Sequence, residues 1–332
     1  DRCNTRCIHC SHGYLRFGAD MPSEVYEKIR DALFDHIQAA ILVGTGEPLM
    51  SALFDPMFDE CVQRGIHIQT VSNGILLNND AVVDRLLEHD VLLTLSIDGV
   101  RPETFSFVRP HQKWETMVET LERIHRRAQA LGPRRRARLQ FNTVAMKKTI
   151  ADLPDLVRLA ARYGFDSINV LALAGEDQFE PLRDQSLMDS PEVMARIYIE
   201  SMALADRLGV EMAMPPAFRE AVLRHGRRGG GLSGRITRWA DRARLGLSYL
   251  RHNGLRRVAE RMAYGFGPRA RAGVTWCSVP WKNSYFSVEG HVRPCCVTTQ
   301  RLGDITCEEW PDIWNGPLYR NQKATLAVVG SD

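Results

Sequence analysis

No stretch of the chain approaches the roughly twenty consecutive apolar residues that a membrane-spanning helix needs, so no transmembrane segment is expected. The N-terminal residues also lack the charged, apolar and small-residue succession of a secretory signal. The loop Gly44-Thr-Gly-Glu-Pro48 has no Lys-Ser/Thr ending, which excludes a nucleotide-phosphate cradle of the usual kind there. No nucleic-acid reader motif accompanies the arginines, so nucleic acid is not an expected partner. The first three cysteines have no nearby fourth cysteine or closing histidine pair, as a structural zinc site requires. A disulfide framework belongs to small secreted chains, and 332 residues without a signal is neither. The cysteines therefore point to a reducing interior, the cytoplasm.

What is present starts at the N terminus. Asp1-Arg-Cys3-Asn-Thr-Arg-Cys7-Ile-His-Cys10 places three thiols within eight residues, on a segment too short and polar to be core. Thiolates are the usual ligands of iron–sulfur clusters. Three cysteines leave one iron of a four-iron cluster without a protein ligand, and an open metal position marks a reactive centre.

The residues Cys3, Cys7 and Cys10 resemble the cluster-binding loop of the radical S-adenosylmethionine (radical SAM) superfamily, with His9 where that family places a ring-bearing residue. Gly44-Thr-Gly46-Glu47-Pro48, Val71-Ser72-Asn73-Gly74 and Leu95-Ser96-Ile-Asp98-Gly99 resemble further motifs in the family's order, across roughly residues 1–175. The resemblance implies a partial (β/α)6 TIM-like barrel. It also implies that S-adenosylmethionine chelates the open iron and is cleaved reductively to methionine and a 5′-deoxyadenosyl radical. Gly44, Gly46, Glu47, Pro48 and His9 would then surround the cofactor. Ser72, Asn73, Ser96 and Asp98 would offer short polar groups to its ribose and carboxylate, as would Asn142 from a fifth strand. In that family a strand precedes the cysteine loop, so the sequence reads as cropped at its N terminus.

The residues alone support the α/β class. Short apolar runs at Ala39–Val43, His67–Val71, Val91–Ser96, Arg138–Val144 and Ser167–Leu171 alternate with amphipathic segments near 22–37, 52–64, 79–89, 114–131 and 151–164. That alternation reads as a parallel sheet with crossover helices. A further helix at 191–208 and a strand at Glu211–Met214 extend it. The motif loops fall at the carboxyl ends of the strands, where such barrels carry their sites. Cys61 follows Phe54, Met57 and Phe58 at helical spacing and reads as core. His36, His67 and His89 lie at element ends. Arg109 reads either as facing the site or as a surface salt bridge.

The chain divides into residues 1–215, the barrel; 216–275, a helical insertion; and 276–332, a small α+β domain. The insertion carries fourteen Arg, no Lys and three acids, a charge near +11 against +3 for the whole chain. Ile236, Trp239, Ala243, Leu247 and Leu250 form an apolar stripe ringed by arginines. Such a helix suits an anionic lipid surface or an acidic partner, or docks on the barrel as a solvated insertion.

In the last domain, Cys277-x12-Gly290-x4-Cys295 resembles the opening of the SPASM or Twitch extension, which implies an auxiliary [4Fe-4S] cluster. Phe286–Arg293 reads as a β-hairpin turning at Gly290. Cys296 and Cys307 are further candidate ligands, and the missing Cys-x2-Cys reads as truncation. The expected function is a radical SAM oxidoreductase acting on a peptide, a protein or a small molecule, fed by an external low-potential electron donor. The alternative is a non-catalytic iron–sulfur electron carrier or sensor.

Overall fold

The computed structural model describes residues 2–10, 18–173, 182–213, 215, 218, 222, 283–295 and 300–328. Contacts divide the chain into two units, Asp1–Asp20 with Phe34–Arg228 and Met21–Leu33 with Gly229–Asp332. The first helix, α1 (Ser23–Leu33), thus belongs to the second unit.

The first unit is a six-stranded sheet whose spatial order follows the chain: β1 (Ala39–Leu42), β2 (His67–Ser72), β3 (Val91–Ser96), β4 (Arg138–Ala145), β5 (Ser167–Ala172) and β6 (Glu211–Ala213). Every neighbouring pair is parallel. Consecutive parallel strands require crossovers, supplied by α2 (Phe54–Gln63), α3 (Asp80–Glu88), α4 (Pro102–Val108), α5 (Trp114–Leu131), α6 (Leu153–Tyr163) and α7 (Pro191–Leu208). The strands lie within a residue or two of their sequence expectations. The sheet has the partial-barrel arrangement expected.

Helix ends follow local chemistry. The Asn79 side chain accepts the Ala81 N–H at the start of α3, as an N-cap should. Helices α6 and α7 begin with Pro at the first turn and stop at Gly164 and Gly209, both left-handed, the Pro-in, Gly-out asymmetry. Buried Leu153, Leu156, Val157, Ala160 and Tyr163 make one face of α6.

The strands bury one face much more than the other. Ile68, Thr70 and Ser72, then Val91, Leu93 and Leu95, then Leu139, Phe141 and Thr143 are buried in register. The alternate positions Gln69, Val71, Leu92, Ser96, Gln140, Asn142 and Asn169 are only half-buried. Parallel sheets covered on both faces read as continuous apolar runs. This sheet instead alternates, because its second face is polar: Thr94 bonds Gln140, Gln140 bonds Ser167 and Asn169 bonds Asn142. Cys61 is fully buried on α2, the core role read from its spacing. His67 pairs with Asp90, and His89 meets the Phe58 ring edge-on, so both serve sheet margins.

Among the described residues of the second unit, β7 (Tyr285–Phe286), β8 (His291–Arg293) and β9 (Gly303–Asp304) form an antiparallel sheet, followed by α8 (Trp310–Trp314) and α9 (Pro317–Val328). The Phe286, Trp310, Trp314 and Tyr319 rings pack together, and the Lys28 ammonium of α1 donates to the Thr306 carbonyl. The hairpin turns at Gly290, whose φ is 90°. Among the described residues no helix is long and apolar enough to cross a membrane.

A Cβ at Gly290 would lie 2.5 Å from Thr306 Cγ2 in addition to requiring left-handed backbone. Gly290→Ala is expected to destabilise this unit by at least the roughly 1–2 kcal/mol of the backbone term. Hydrogen exchange at the 285–293 amides should accelerate about tenfold or more; unchanged protection would refute the tight turn.

Candidate functional site

The carboxyl ends of β1, β2 and β3 lead into the loops that carry Glu47, Asn73 and Asp98, and the cysteine loop is tied to all three. The Glu47 N–H donates to the Arg2 carbonyl at 2.7 Å. The Asn73 side-chain amide donates to Asn4 Oδ1 at 2.7 Å and approaches Cys3 Sγ at 3.9 Å. Within the loop, the Thr5 hydroxyl lies 3.2 Å from Cys3 Sγ and 3.7 Å from Cys7 Sγ, bridging the two sulfurs. The Ile8 N–H donates to the Val108 carbonyl at 3.0 Å. Its side chain packs on the apolar cluster Val108, Met146 and Leu182.

The strongest tie is ionic. Arg109, at the end of α4, donates through Nε and Nη2 to Asp98 Oδ2 at 3.0 and 2.6 Å. Its Nη1 points at Cys7 Sγ, 3.3 Å away. Asp98 Oδ1 accepts the Val144 N–H at 2.8 Å. Arg109 is 4% and Asp98 3% exposed, so the surface-salt-bridge reading of Arg109 is excluded. Burial pushes the Asp98 pKa up, but Arg109, His9 and the Val144 N–H outweigh it and hold the carboxyl below its ordinary range. Burial alone would pull Arg109 down; Asp98 and the Cys7 sulfur reverse that and keep it charged. Burial raises the Cys7 thiol pKa, while Arg109 opposes it.

Helix α4 delivers this guanidinium. Its first turn is held by Asp152, which is buried and accepts from the Val100 N–H at 3.0 Å, from the Thr104 hydroxyl and from Arg101. Gly99 permits the close turn: a Cβ there would lie 2.9 Å from the Thr104 backbone carbon. The sequence reading missed α4, a seven-residue helix lying between Pro102 and Pro110.

Three residues expected to touch a cofactor are also engaged by the protein itself. Ser72 is buried and its hydroxyl accepts the Gly74 N–H at 3.0 Å. The Asn73 amide is shared among Asn4, Cys3 and the Ile75 N–H, and Asp98 is engaged as above. All three are framing residues whose polar atoms already have protein partners. Others remain open. Glu47 is buried, with Oε2 accepting the Asn73 N–H at 2.8 Å, while Oε1 has no hydrogen-bond partner among the described residues. Burial raises its pKa, against the pull of the Asn73 N–H and the Ser72 hydroxyl. His9 Nδ1 is likewise buried without a partner, and burial lowers its pKa, so the ring is neutral. A Cβ at Gly44 would meet nothing nearer than the Gly46 nitrogen at 3.9 Å, so the loop is open there. Gly46, Pro48 and Ser96 are half-buried. Asn142 accepts from Asn169 Nδ2 at 2.8 Å, which leaves its own amide nitrogen pointing elsewhere.

Among the described residues no three Cys, His, Asp or Glu side chains converge closely enough to wrap a single ion. A four-iron cluster needs a looser tripod, and Cys3, Cys7 and Cys10 on one anchored loop supply three thiols for it. The unpartnered Glu47 Oε1 beside that loop is an acceptor suited to a cationic donor such as an ammonium. The residues present therefore fit an iron–sulfur cluster with an amino-acid-like ligand.

In the second unit Cys295 is half-buried and Cys307 exposed. His291 is registered opposite Asp304 in antiparallel strands. Cys295 thus follows β8 off one end of the sheet, and Cys307 follows β9 off the other. Cys307, a further candidate ligand, is thereby set apart from Cys295 by strand register. Cys277 and Cys296 lie outside the described residues, as does residues 216–275 apart from 218 and 222. Sequence reading missed Asn4, Thr5, Gln112 and Asn169. Gln112 is buried and donates to the Asn73 carbonyl at 2.9 Å. Only Asn4 and Thr5 carried a signal, being polar and flanked by two cysteines.

Residues 1–160 match the profile of the radical SAM superfamily, and residues 277–329 that of the SPASM iron–sulfur cluster-binding domain. The mycofactocin maturase MftC of Mycobacterium tuberculosis is 24% identical over 164 residues, covering 49% of this chain and 40% of that protein. The tungsten-containing aldehyde ferredoxin oxidoreductase cofactor-modifying protein of Pyrococcus furiosus is 27% identical over 200 residues, 58% of this chain and 55% of its own. The chain thus spans about half the length of these relatives. The crystal structure of Streptococcus suis SuiB bound to S-adenosylmethionine matches with a TM-score of 0.66 at 14% identity, over 97% of this chain and 65% of SuiB. SuiB has also been crystallised with its precursor peptide SuiA, and that structure matches at a TM-score of 0.65 and 12% identity, over 97% and 64%.

Removing one partner of a buried ion pair leaves the other unpaired, at a cost of about 3–5 kcal/mol. Asp98→Ala is expected to lower the urea midpoint accordingly. Because the folded Asp98 pKa is depressed, its contribution is present above the unfolded carboxylate value of about 3.9 and is lost as pH falls through the folded value. The variant should therefore lose less stability than wild type on acidification below about pH 4. Parallel acid limbs would show that the pair does not carry this linkage.

Proposed function

Because this chain belongs to the radical SAM superfamily and carries a SPASM-type C-terminal region, we propose that it is a maturase that abstracts hydrogen from a peptide or protein substrate. Its cofactors are a [4Fe-4S] cluster with S-adenosylmethionine and an auxiliary cluster. When bound, the first of these supplies hydrogen-abstracting radical chemistry, with methionine and 5′-deoxyadenosine as products.

The observation that carries the reading is the anchored tripod over the strand ends, with Glu47 Oε1 left unpartnered beside it. Cys3, Cys7 and Cys10 would hold the cluster. Glu47 and the open Gly44–Gly46 backbone would accept bonds from the cofactor ammonium; Ser96 and Asn142 would offer polar groups to its ribose and carboxylate, and Pro48 and the neutral His9 ring would pack alongside. Cys277 and Cys295 would serve the auxiliary cluster.

A peptide substrate is supported by the maturase MftC and by the fold shared with SuiB, an enzyme crystallised with its precursor peptide. The polar sheet face supports it too. Its half-buried Gln69, Gln140 and Asn169 are neutral amides, matched to the donors and acceptors of a peptide backbone. A small-molecule substrate is the competing reading, favoured by the Pyrococcus cofactor-modifying relative. An auxiliary cluster that accepts an electron would make the net reaction oxidative. An external low-potential donor would supply the first electron, and the division at residues 216 and 276 would separate barrel, basic insertion and auxiliary domain. The charge of the insertion suits an acidic or anionic-lipid partner.

Reconstituted protein given dithionite and S-adenosylmethionine should release 5′-deoxyadenosine. Cys7→Ala should lower that yield at least about a hundredfold, since each missing thiolate leaves an iron unheld. A loaded cluster that yields no 5′-deoxyadenosine would overturn the enzyme reading in favour of an electron carrier or sensor.

A further inference from the structure

We propose that Arg109 sets the reduction potential of the cluster on the cysteine tripod, with Asp98 as the group that limits its effect. The inference rests on the reading of Cys3, Cys7 and Cys10 as cluster ligands. Cluster potentials respond to net charge, to hydrogen bonds on the sulfurs and to solvent exposure. All three meet at Cys7. Its sulfur faces a guanidinium nitrogen at 3.3 Å, and the guanidinium is held by two bonds to Asp98. Cys7, Arg109 and Asp98 are all buried, so water screens little of the charge.

The direction follows from electrostatics. Adding one electron from an external donor places one more negative charge on the cluster, partly on the thiolate sulfurs. A buried cation bonded to Cys7 Sγ stabilises that reduced state more than the oxidised one. Asp98 brings a negative charge close to the same atoms and opposes the gain. The two side chains therefore act with opposite signs, although structurally they are partners. Arginine suits the task better than lysine, because its planar fork reaches Asp98 and Cys7 at once.

The opposite signs separate this role from a purely structural one. If the pair only held the loop in place, loss of either partner would loosen the site in the same way. The test is EPR-monitored potentiometric titration of the iron-reconstituted full chain, without S-adenosylmethionine, using dithionite as the one-electron donor. Arg109→Gln should make reduction harder by at least about tenfold, roughly 59 mV for a one-electron couple. Asp98→Asn keeps an acceptor for the Val144 N–H and should make reduction easier. The auxiliary-cluster midpoint should stay in place in both. Should Arg109→Gln not hold its cluster, Arg109→Lys takes its place and should shift toward harder reduction.

Shifts of opposite sign support the proposal. Unmoved midpoints, or shifts of the same sign in both variants, overturn it. Iron content and Mössbauer spectra of wild type and Cys7→Ala, taken first, test the underlying reading separately. If the Cys7→Ala spectrum is unchanged, the tripod holds no cluster and that reading fails; a tripod cluster with an unmoved potential rejects only the role of Arg109.

Discussion

A buried guanidinium shared between a carboxylate and a cysteine sulfur is the constraint around which the first unit is organised. An ion pair removed from water is stable only if its remaining donors and acceptors are satisfied. Here they are, and each partner comes from a different element. Asp98 follows β3, Arg109 ends α4, the Val144 N–H lies in β4, and Cys7 belongs to the N-terminal loop. Loss of register in any of them would leave a charge or a donor unpaired in the interior. The pair therefore links sheet, crossover helix and cysteine loop. Asp152 extends the link by fixing the start of α4 from the turn that precedes α6.

This organisation divides the polar residues at the strand ends into two kinds. Ser72, Asn73 and Asp98 face buried partners and act as a frame. Glu47, Ser96 and Asn142 keep at least one polar group directed away from the frame. The division follows from the sheet's alternation. Buried positions of β2 and β3 continue into framing residues, whereas Ser96 and Asn142, in register on neighbouring strands, share the polar face. A half-exposed face in a parallel sheet needs a reason, and a ligand-binding wall is one.

Most of the fold could be read from the sequence because parallel strands and amphipathic helices announce themselves by period. The limits of β1 to β5 fell close to the apolar runs, and Cys61 declared its burial by helical spacing. Helix α4 did not announce itself: seven residues bounded by prolines carry no periodicity. Its loss hid the role of Arg109, which depends on where a helix ends rather than on any motif. The framing role of Asn73 was equally hidden, since an amide that bonds Asn4 looks in sequence like one that bonds a ligand. The motif spacing pointed to the loops at the strand ends and was silent on which polar atoms the protein itself would occupy.

The two cysteine groups show how far spacing can carry an argument. Cys3, Cys7 and Cys10 lie on one loop, so their proximity follows from the chain itself and needs only anchoring. In the second unit, which cysteines meet depends on strand register. With His291 opposite Asp304, antiparallel pairing sends Cys295 and Cys307 to opposite ends of a three-stranded sheet, although only eleven residues separate them in the chain. A ligand set that includes Cys295 must then be completed from segments arriving at its own end of the sheet. The hairpin register thus sets Cys307 apart from Cys295 on topological grounds alone.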